Sequence, residues 1–398
     1  MSLISRLKRQ GKLWEKFLGN WRKPFSSRRR FFIKLSKSIG FLVLWPLEIL
    51  GDLLFWPRRP LPQKINRLLI IKTDQLGDVL FSTILPQKIK AAYPDIQIDY
   101  LVSQSAAPIL TNNPLVSSIY HWHNLALSLL PGRNQKNNLK NLYQRWRENK
   151  VVWEILKNNN YDLAINARAF WPSSNFRWRL IAKHLIAFDL SQLSFLADNS
   201  ADYKLRKEEW QNYYQLLKPI LPNLTIDIKN PPAPSFFNVS PKIFYQTPYL
   251  CLSPVSFDKE RTWSKKQWQE LLDLLLPMNY QLILLGLPSQ RDWLASIHQP
   301  NDRITILSDL KLDELAAAIK GASAFIGLDS FSAHLAQALN KPAICLVNTK
   351  LFYVAGLSRQ KIVDGRCMLA IGKNMRLLDL NQANPNDIIQ ALSGYNIK

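Results

Sequence analysis

Three stretches of the chain gather side chains able to move a proton or hold an anion. The first is Lys72-Thr-Asp-Gln-Leu-Gly-Asp78-Val-Leu-Phe-Ser82, directly after the apolar run Arg67-Leu-Leu-Ile-Ile. Gly77 allows a tight turn there, and Asp78 has two readings. Its carboxylate either caps the N–H groups of the helix that follows or faces a ligand as a general base. The second stretch, Ser253-Pro-Val-Ser-Phe-Asp-Lys259-Glu-Arg261-Thr-Trp263-Ser-Lys-Lys-Gln-Trp268, is a basic loop before a helical pattern. Lys259 or Arg261 would neutralise a diphosphate there, helped by the helix N-terminus; the plain alternative is a solvated loop. The third runs from Gly321 to Pro342, with Asp329 and Ser330 opening a helix and His334 one turn on. A lone helix histidine is more often structural than functional. G-x-G-x-x-G after the first strand and the P-loop motif are both missing, so neither a standard dinucleotide dehydrogenase nor a P-loop nucleotidase is supported. Cys251, Cys345 and Cys367 form no close pair, which excludes a zinc knuckle and a redox CxxC and suits a reducing compartment. His121-x-His123 is too weak a pair to propose a metal site.

Such residues act only where secondary-structure ends hold them. Residues 67–72 form a short apolar run that reads as a buried strand, and 78–93 have a helical pattern. Residues 96–102 and 162–166 read as further strands. A second series follows, with strands at 249–253, 281–285, 304–307, 324–326 and 343–347. Helices are expected at 264–276, 311–320 and 330–339. Strands alternating with helices predict parallel sheets, and ligands of such sheets bind beyond the carboxyl ends of the strands. The fold class expected is α/β: two Rossmann-like parallel-sheet domains facing a cleft.

Prolines mark the boundaries. Pro57, Pro60 and Pro62 end an N-terminal segment, and Pro231, Pro232, Pro234, Pro241 and Pro248 crowd a span where no helix or central strand survives. The organisation expected is an arm and linker over 1–62, a first domain over 63–230, a proline-rich linker over 231–248 and a second domain over 249–398. Residues 121–150 fit the alternation poorly and, with Arg133, Lys136, Lys140, Arg145, Arg147 and Lys150, read as a basic insertion.

The chain has 398 residues, 47% hydrophobic and 20% charged, a composition that excludes intrinsic disorder and collagen. Its formal charge of +23 predicts an anionic partner. About half of that excess sits in the first sixty residues, where fourteen Lys and Arg face only Glu15, Glu48 and Asp52. The longest charge-free run of the apolar stretch 31–56 is Ser38 to Leu47, too short for the ~20 residues of a membrane span. On a helix Lys34, Lys37, Glu48 and Asp52 share one narrow stripe, and the rest is largely Phe, Leu, Ile, Val and Trp. With Arg28-Arg29-Arg30 and Arg58-Arg59 at its ends and Pro46 as a kink, the stretch is expected to lie in a membrane interface. Packing against the protein's own core is the alternative. Nucleic acid is not the partner expected, since the aromatics sit among Leu and Ile rather than along a basic groove.

Taken together, the three stretches resemble the heptosyltransferase-like glycosyltransferases of family 9, which have the GT-B fold. That family's L-G-D-x-x-x-T/S element is matched by Leu76-Gly77-Asp78 and Ser82. Its basic residue two before W-P-x-x-x-W is matched by Arg261, Trp263 and Trp268. Its late D-T/S-G-x-x-H-L-A-x-A-L-x-K-P signature is matched by Asp329, Ser330, His334-Leu-Ala, Ala338-Leu339 and Lys341-Pro342. Order and spacing agree from about Arg67 to Val347, and a final helix over 385–392 also fits. Three positions depart: Phe331 replaces the usual glycine, Ser264 the usual proline, and Asn348-Thr349-Lys350 the customary G-P-T.

The resemblance implies an inverting enzyme that needs neither metal nor other cofactor and takes its sugar from a nucleotide-diphosphate donor of the ADP-heptose kind. Asp78 would be the general base, with Asp74, Gly77 and Ser82 on the acceptor-side loop. Lys259 and Arg261 would hold the diphosphate, and Asp329, Ser330 and His334 would shape the donor pocket. The acceptor implied is a lipid-linked glycan, and the place the cytoplasmic face of the plasma membrane, with the arm on the anionic surface. The alternative is a membrane-docked GT-B protein that binds nucleotide sugar but has lost transfer.

Overall fold

The computed structural model describes residues 57–124, 139–169, 175–189, 191, 193–204, 209–225, 227, 232–242, 244–256, 262–348 and 374–395, with Pro46 and Leu50. Apart from those two, the amphipathic stretch 31–56 lies outside the described residues, as does the rest of the arm before it. The chain divides into two compact units, each built on a six-stranded, all-parallel sheet.

In the first unit the elements run β1 (Arg67–Lys72), α1 (Leu76–Ser82), α2 (Ile84–Ala92), β2 (Gln97–Val102), β3 (Ser118–His121), α3 (Leu139–Asn158) and β4 (Tyr161–Asn166). Then come α4 (Asn175–Ile181), β5 (Ala182–Phe188), β6 (Asn199–Ala201) and α5 (Glu209–Leu217). The sheet order is β3-β2-β1-β4-β5-β6. Leu68 to Ile71 and all of β4 are buried, as expected of central parallel strands covered by helices on both faces. The helix expected over 78–93 is two helices meeting at Thr83. Pro86 has no N–H to give to the Ser82 carbonyl, and the Tyr100 hydroxyl donates to it instead at 2.9 Å. Residues 139–150, expected within an insertion, form the first part of α3, which lies between β3 and β4; 125–138 lie outside the described residues.

The second unit repeats the plan. Its elements are β7 (Tyr249–Ser253), α6 (Lys265–Leu275), β8 (Gln281–Leu285), α7 (Arg291–Ala295), β9 (Ile304–Leu307), α8 (Leu312–Gly321), β10 (Ala324–Leu328), α9 (Phe331–Ala338), β11 (Ala343–Val347), β12 (Met375–Asp379) and α10 (Pro385–Ser393). The sheet order β12-β11-β10-β7-β8-β9, read from the other edge, is that of the first unit. In both sheets the direction of winding reverses beside the first strand, between β1 and β4 and between β7 and β10. That reversal opens a crevice at the carboxyl ends of those strands, the usual ligand position in open α/β sheets. Each unit has one such position.

Candidate functional site

At the reversal in the first unit, β1 ends at Lys72 and is followed by Thr73-Asp74, and β4 is followed by Ala167-Arg168. Lys72 is buried, donating to the Ala167 carbonyl at 3.1 Å and standing 3.0 Å from Asp74 Oδ2. Arg168, also buried, reaches Asp74 Oδ1 at 2.8 Å through Nε and Thr73 Oγ1 at 3.0 Å through a terminal nitrogen. Asn124 donates to the Thr73 carbonyl at 2.9 Å, tying in the segment after β3. Two cations thus hold Asp74 and fix the turn that carries Asp78.

Asp78 is not the N-cap: Gln75 is, and Asp78 stands three residues on, in the first turn of α1. Its carboxylate accepts the Gln75 N–H and remains reachable by solvent. Surrounding protein atoms nevertheless strip part of its hydration, and that desolvation raises its pKa above the ordinary carboxylate value. Repulsion from Asp74 adds to the rise; Lys72, Arg168 and the Gln75 N–H oppose it without cancelling it. A carboxylate tuned upward, open to solvent and braced by two buried cations has the character of a proton acceptor. Gly77 lies in the same helical turn. Ser82, expected on the acceptor-side loop, is instead the last residue of α1, fully buried with its hydroxyl donating to the Val79 carbonyl at 2.7 Å. Its role there is packing.

At the reversal in the second unit, Asp329 follows β10, buried, with its N–H on the Leu346 carbonyl at 3.0 Å. His334 Nε2 lies 3.4 Å from Asp329 Oδ1, so the two residues five positions apart form one pair. Ser330 is the N-cap residue of α9 in extended conformation, and its buried Oγ has no hydrogen-bond partner among the described residues. Phe331 takes up the first helical position regularly, so the place of the expected glycine needs none. Gly327 on β10 is different. A Cβ there would come within 2.7 Å of the Phe325 ring on the same strand and 3.1 Å of Ser253 Cβ on β7, so any larger residue would have to displace the Phe325 ring. After α9 the chain turns through Asn340 in the left-handed region (φ 55°), and Lys341-Pro342 lead into β11.

Lys259 and Arg261 lie outside the described residues, but the chain just beyond them is fixed. Trp263 is buried, its Nε1 donating to the Leu380 carbonyl at 3.1 Å and its ring edge-on to Trp268 at 5.4 Å. Ser264, in place of proline, caps α6 in a reciprocal capping box with Gln267. Asn348, in place of glycine, is buried and accepts from Asn381 Nδ2 at 3.0 Å. Both departures are thus absorbed by local hydrogen bonding. The structure brings Asp74 together with Asp78, and Asp329 together with Ser330 and His334. The sequence assigns no role to Lys72, Thr73 or Arg168. Arg168 had a positional signal, lying two residues past an apolar strand, but nothing in the sequence pairs it with Asp74.

The family model for glycosyltransferase family 9 (heptosyltransferase) matches residues 150–363. The chain is 25% identical to lipopolysaccharide heptosyltransferase 3 of Escherichia coli over 299 residues, 68% of this chain and 80% of that protein. It is 22% identical to lipopolysaccharide heptosyltransferase 1 of the same organism over 296 residues, 70% of this chain and 86% of that protein. Among solved structures it is similar to E. coli heptosyltransferase WaaC with ADP-2-deoxy-2-fluoro heptose, at TM-score 0.64 and 18% identity, covering 82% of this chain and 99% of the other. A family 9 glycosyl transferase from Veillonella parvula is similar at TM-score 0.64 and 14% identity, over 85% of this chain and 98% of the other. These likenesses carry the fold, which is GT-B.

Proposed function

The chain belongs to glycosyltransferase family 9, and from that premise we propose that it moves a heptose-like sugar from a nucleotide-diphosphate donor, of the ADP-heptose kind, to a lipid-linked saccharide in lipopolysaccharide biosynthesis. The reaction is a displacement with inversion. The acceptor hydroxyl oxygen bonds to the anomeric carbon, the bond from that carbon to the diphosphate oxygen breaks, and the diphosphate leaves with the electron pair. Asp78 takes the hydroxyl proton. Lys72 and Arg168 fix Asp74 and thereby the turn bearing Asp78; they are positioning residues. Arg261 and Lys259 offset the charge growing on the leaving diphosphate, a task that needs no metal ion. Asp329, Ser330 and His334 shape the donor pocket. One observation carries the reading: a solvent-open carboxylate at the winding reversal of the first sheet, on a turn fixed by Lys72 and Arg168, in a chain of this family. The experiment is transfer of radiolabelled sugar from ADP-heptose to a heptose-free core lipid, and a chain that binds the donor without turning it over would be the binding protein of the alternative reading.

Arg261→Ala is expected to weaken binding of the donor diphosphate by about ten- to a hundredfold, the usual cost of one charge-assisted contact to phosphate, while Arg261→Lys keeps part of it. Calorimetry with ADP checks both. Unchanged affinity in Arg261→Ala would move the role to Lys259.

The place of action proposed is the cytoplasmic membrane surface, with the arm as its anchor. No described helix is long and apolar enough to cross a membrane. Deleting residues 1–56, so that the linker contacts of Pro57, Arg59 and Pro60 stay, should leave a protein that binds donor but no longer sediments with anionic vesicles. Each basic residue near such a surface contributes ~1 kcal/mol, so the arm's excess of basic residues is ample, and high salt should weaken attachment. Retention of the full chain in the membrane pellet after alkaline carbonate, with release by detergent alone, would mean the arm is inserted rather than interfacial.

A further inference from the structure

We infer that the first unit carries its own docking face for an anionic lipid surface, made by the outer sides of α3 and α4 beside the point where the arm joins the body. The purpose of such a face rests on the lipid-linked acceptor proposed above; the geometry does not. The inner sides of the two helices share one core: Leu156, with Val152 and Trp153, packs with Trp178 and Ile181 under Trp122. That fixes their outer sides toward solvent. There Tyr143, Trp146, Val151 and Ile155 of α3 and Phe176 and Leu180 of α4 stand exposed, half of the twelve large exposed hydrophobics among the described residues. These two helices thus hold as many as all the other described residues together. A soluble surface scatters such residues singly, and clustering marks contact with something apolar.

The charge around them says what that is. Exposed cations outnumber exposed carboxylates on the same helices, Arg147, Lys150, Lys157 and Arg177 against Glu148 and Glu154, with Lys150 Nζ 5.9 Å from the Trp146 ring centre and Arg177 5.5 Å from that of Trp122. Tyr143 and Trp146 stack at 5.8 Å. Aromatic rings and long cationic side chains side by side suit the headgroup layer of an anionic bilayer. A nucleic acid would use the rings and cations, but Val151, Ile155 and Leu180 offer no stacking surface, whereas acyl chains would cover them.

The arm's point of attachment completes the argument. Arg179 of α4 donates to the Pro57 carbonyl at 2.8 Å, and Arg59 donates back to the Arg179 and Ala182 carbonyls at 3.1 and 2.7 Å. The chain therefore leaves the body at the end of α4, next to Leu180, and the segment it leads to is itself basic and apolar. Two lipid-seeking surfaces held this close engage one bilayer together, each raising the effective concentration of the other.

The test is flotation of the full chain with vesicles of phosphatidylethanolamine and phosphatidylglycerol, against vesicles of phosphatidylcholine alone. The double variant Trp146→Glu, Phe176→Glu changes two side chains 49% and 56% exposed, so the fold is spared. Expected is partitioning to the anionic vesicles weaker by about tenfold or more, with an unchanged thermal midpoint. A second variant, Val151→Glu with Leu180→Glu, should show the same loss. Partitioning equal to the parent in both variants would overturn the inference and mean that the arm alone attaches the protein, or that the arm covers this face. Loss of duplex DNA binding without loss of flotation would overturn it in favour of nucleic acid. Sugar transfer to a water-soluble core saccharide, measured alongside, separates the two proposals: absent turnover with the expected flotation result sinks the transferase reading and leaves the docking face standing.

Discussion

Asp78→Asn is expected to lower the rate of sugar transfer by ~10²–10⁴-fold, the usual contribution of a positioned general base, while donor affinity stays within a small factor of the parent. Asparagine keeps the shape of the side chain and can still accept the Gln75 N–H, so α1 should start as before. What it cannot do is take the acceptor proton. Rates with saturating donor and acceptor, set beside calorimetric donor binding, separate chemistry from affinity. Near-native turnover would reduce Asp78 to a helix-start residue and remove the mechanism.

The same carboxylate sets an acid limb. Desolvation raises its folded pKa, so the base becomes protonated, and activity falls, at a pH higher than an ordinary aspartate would give. Arg168→Gln removes one of the cations opposing that rise, and the limb should move further toward neutral pH. A purely structural role for Arg168 would lower the rate without moving the limb.

Why Asp78 was legible in the sequence and Arg168 was not has a physical reason. A glycine-aspartate pair directly after an apolar strand announces a strand-to-helix turn by composition alone. An arginine after a strand is ordinarily solvated. It is buried here only because Asp74, far away in the sequence, lies two residues past the end of a strand adjacent in the sheet. The sheets divide in the same way. β1, β7, β8 and β11 are continuous apolar runs that two covering layers of helix demand. β3 (SIYH), β6 (NSA) and β12 (MRLLD) are short strands with little periodic signal at the ends of their sheets. Only their neighbours make them strands. β5 hides behind Lys183 and His184; the histidine is buried by contacts with the Pro60 carbonyl at 3.1 Å and Asn199 Oδ1 at 2.6 Å. Ser82 was misread for the converse reason: the motif position is matched, but a hydroxyl one helical turn past the aspartate turns inward.

Asp198→Asn should be the most destabilising single change in the first unit. The Asp198 carboxylate is wholly buried and accepts from Arg59 N at 2.8 Å, from the Arg59 guanidinium at 2.7 Å, from Arg179 at 2.7 Å and from the Leu185 N–H at 2.8 Å. Asparagine offers one acceptor oxygen and no charge, and leaves two guanidinium groups without a counter-ion. Breaking a buried pair in this way costs ~3–5 kcal/mol, and the lower end applies because Arg59 is about a third exposed and water takes over part of its solvation. The pH dependence identifies the cause. Burial alone would raise the pKa of Asp198, but the hydrogen bonds from Arg59 and Leu185 and the charge of Arg59 outweigh it, so the folded value lies below the ordinary one. Stability from this group is therefore fully present above the unfolded aspartate pKa of ~3.9 and is lost as pH falls through the lower folded value. Urea unfolding of the full chain should show parent and variant well separated near neutrality, in the transition of the first unit, and converging in acid. A separation that stays constant down to low pH would assign the loss to packing rather than to charge.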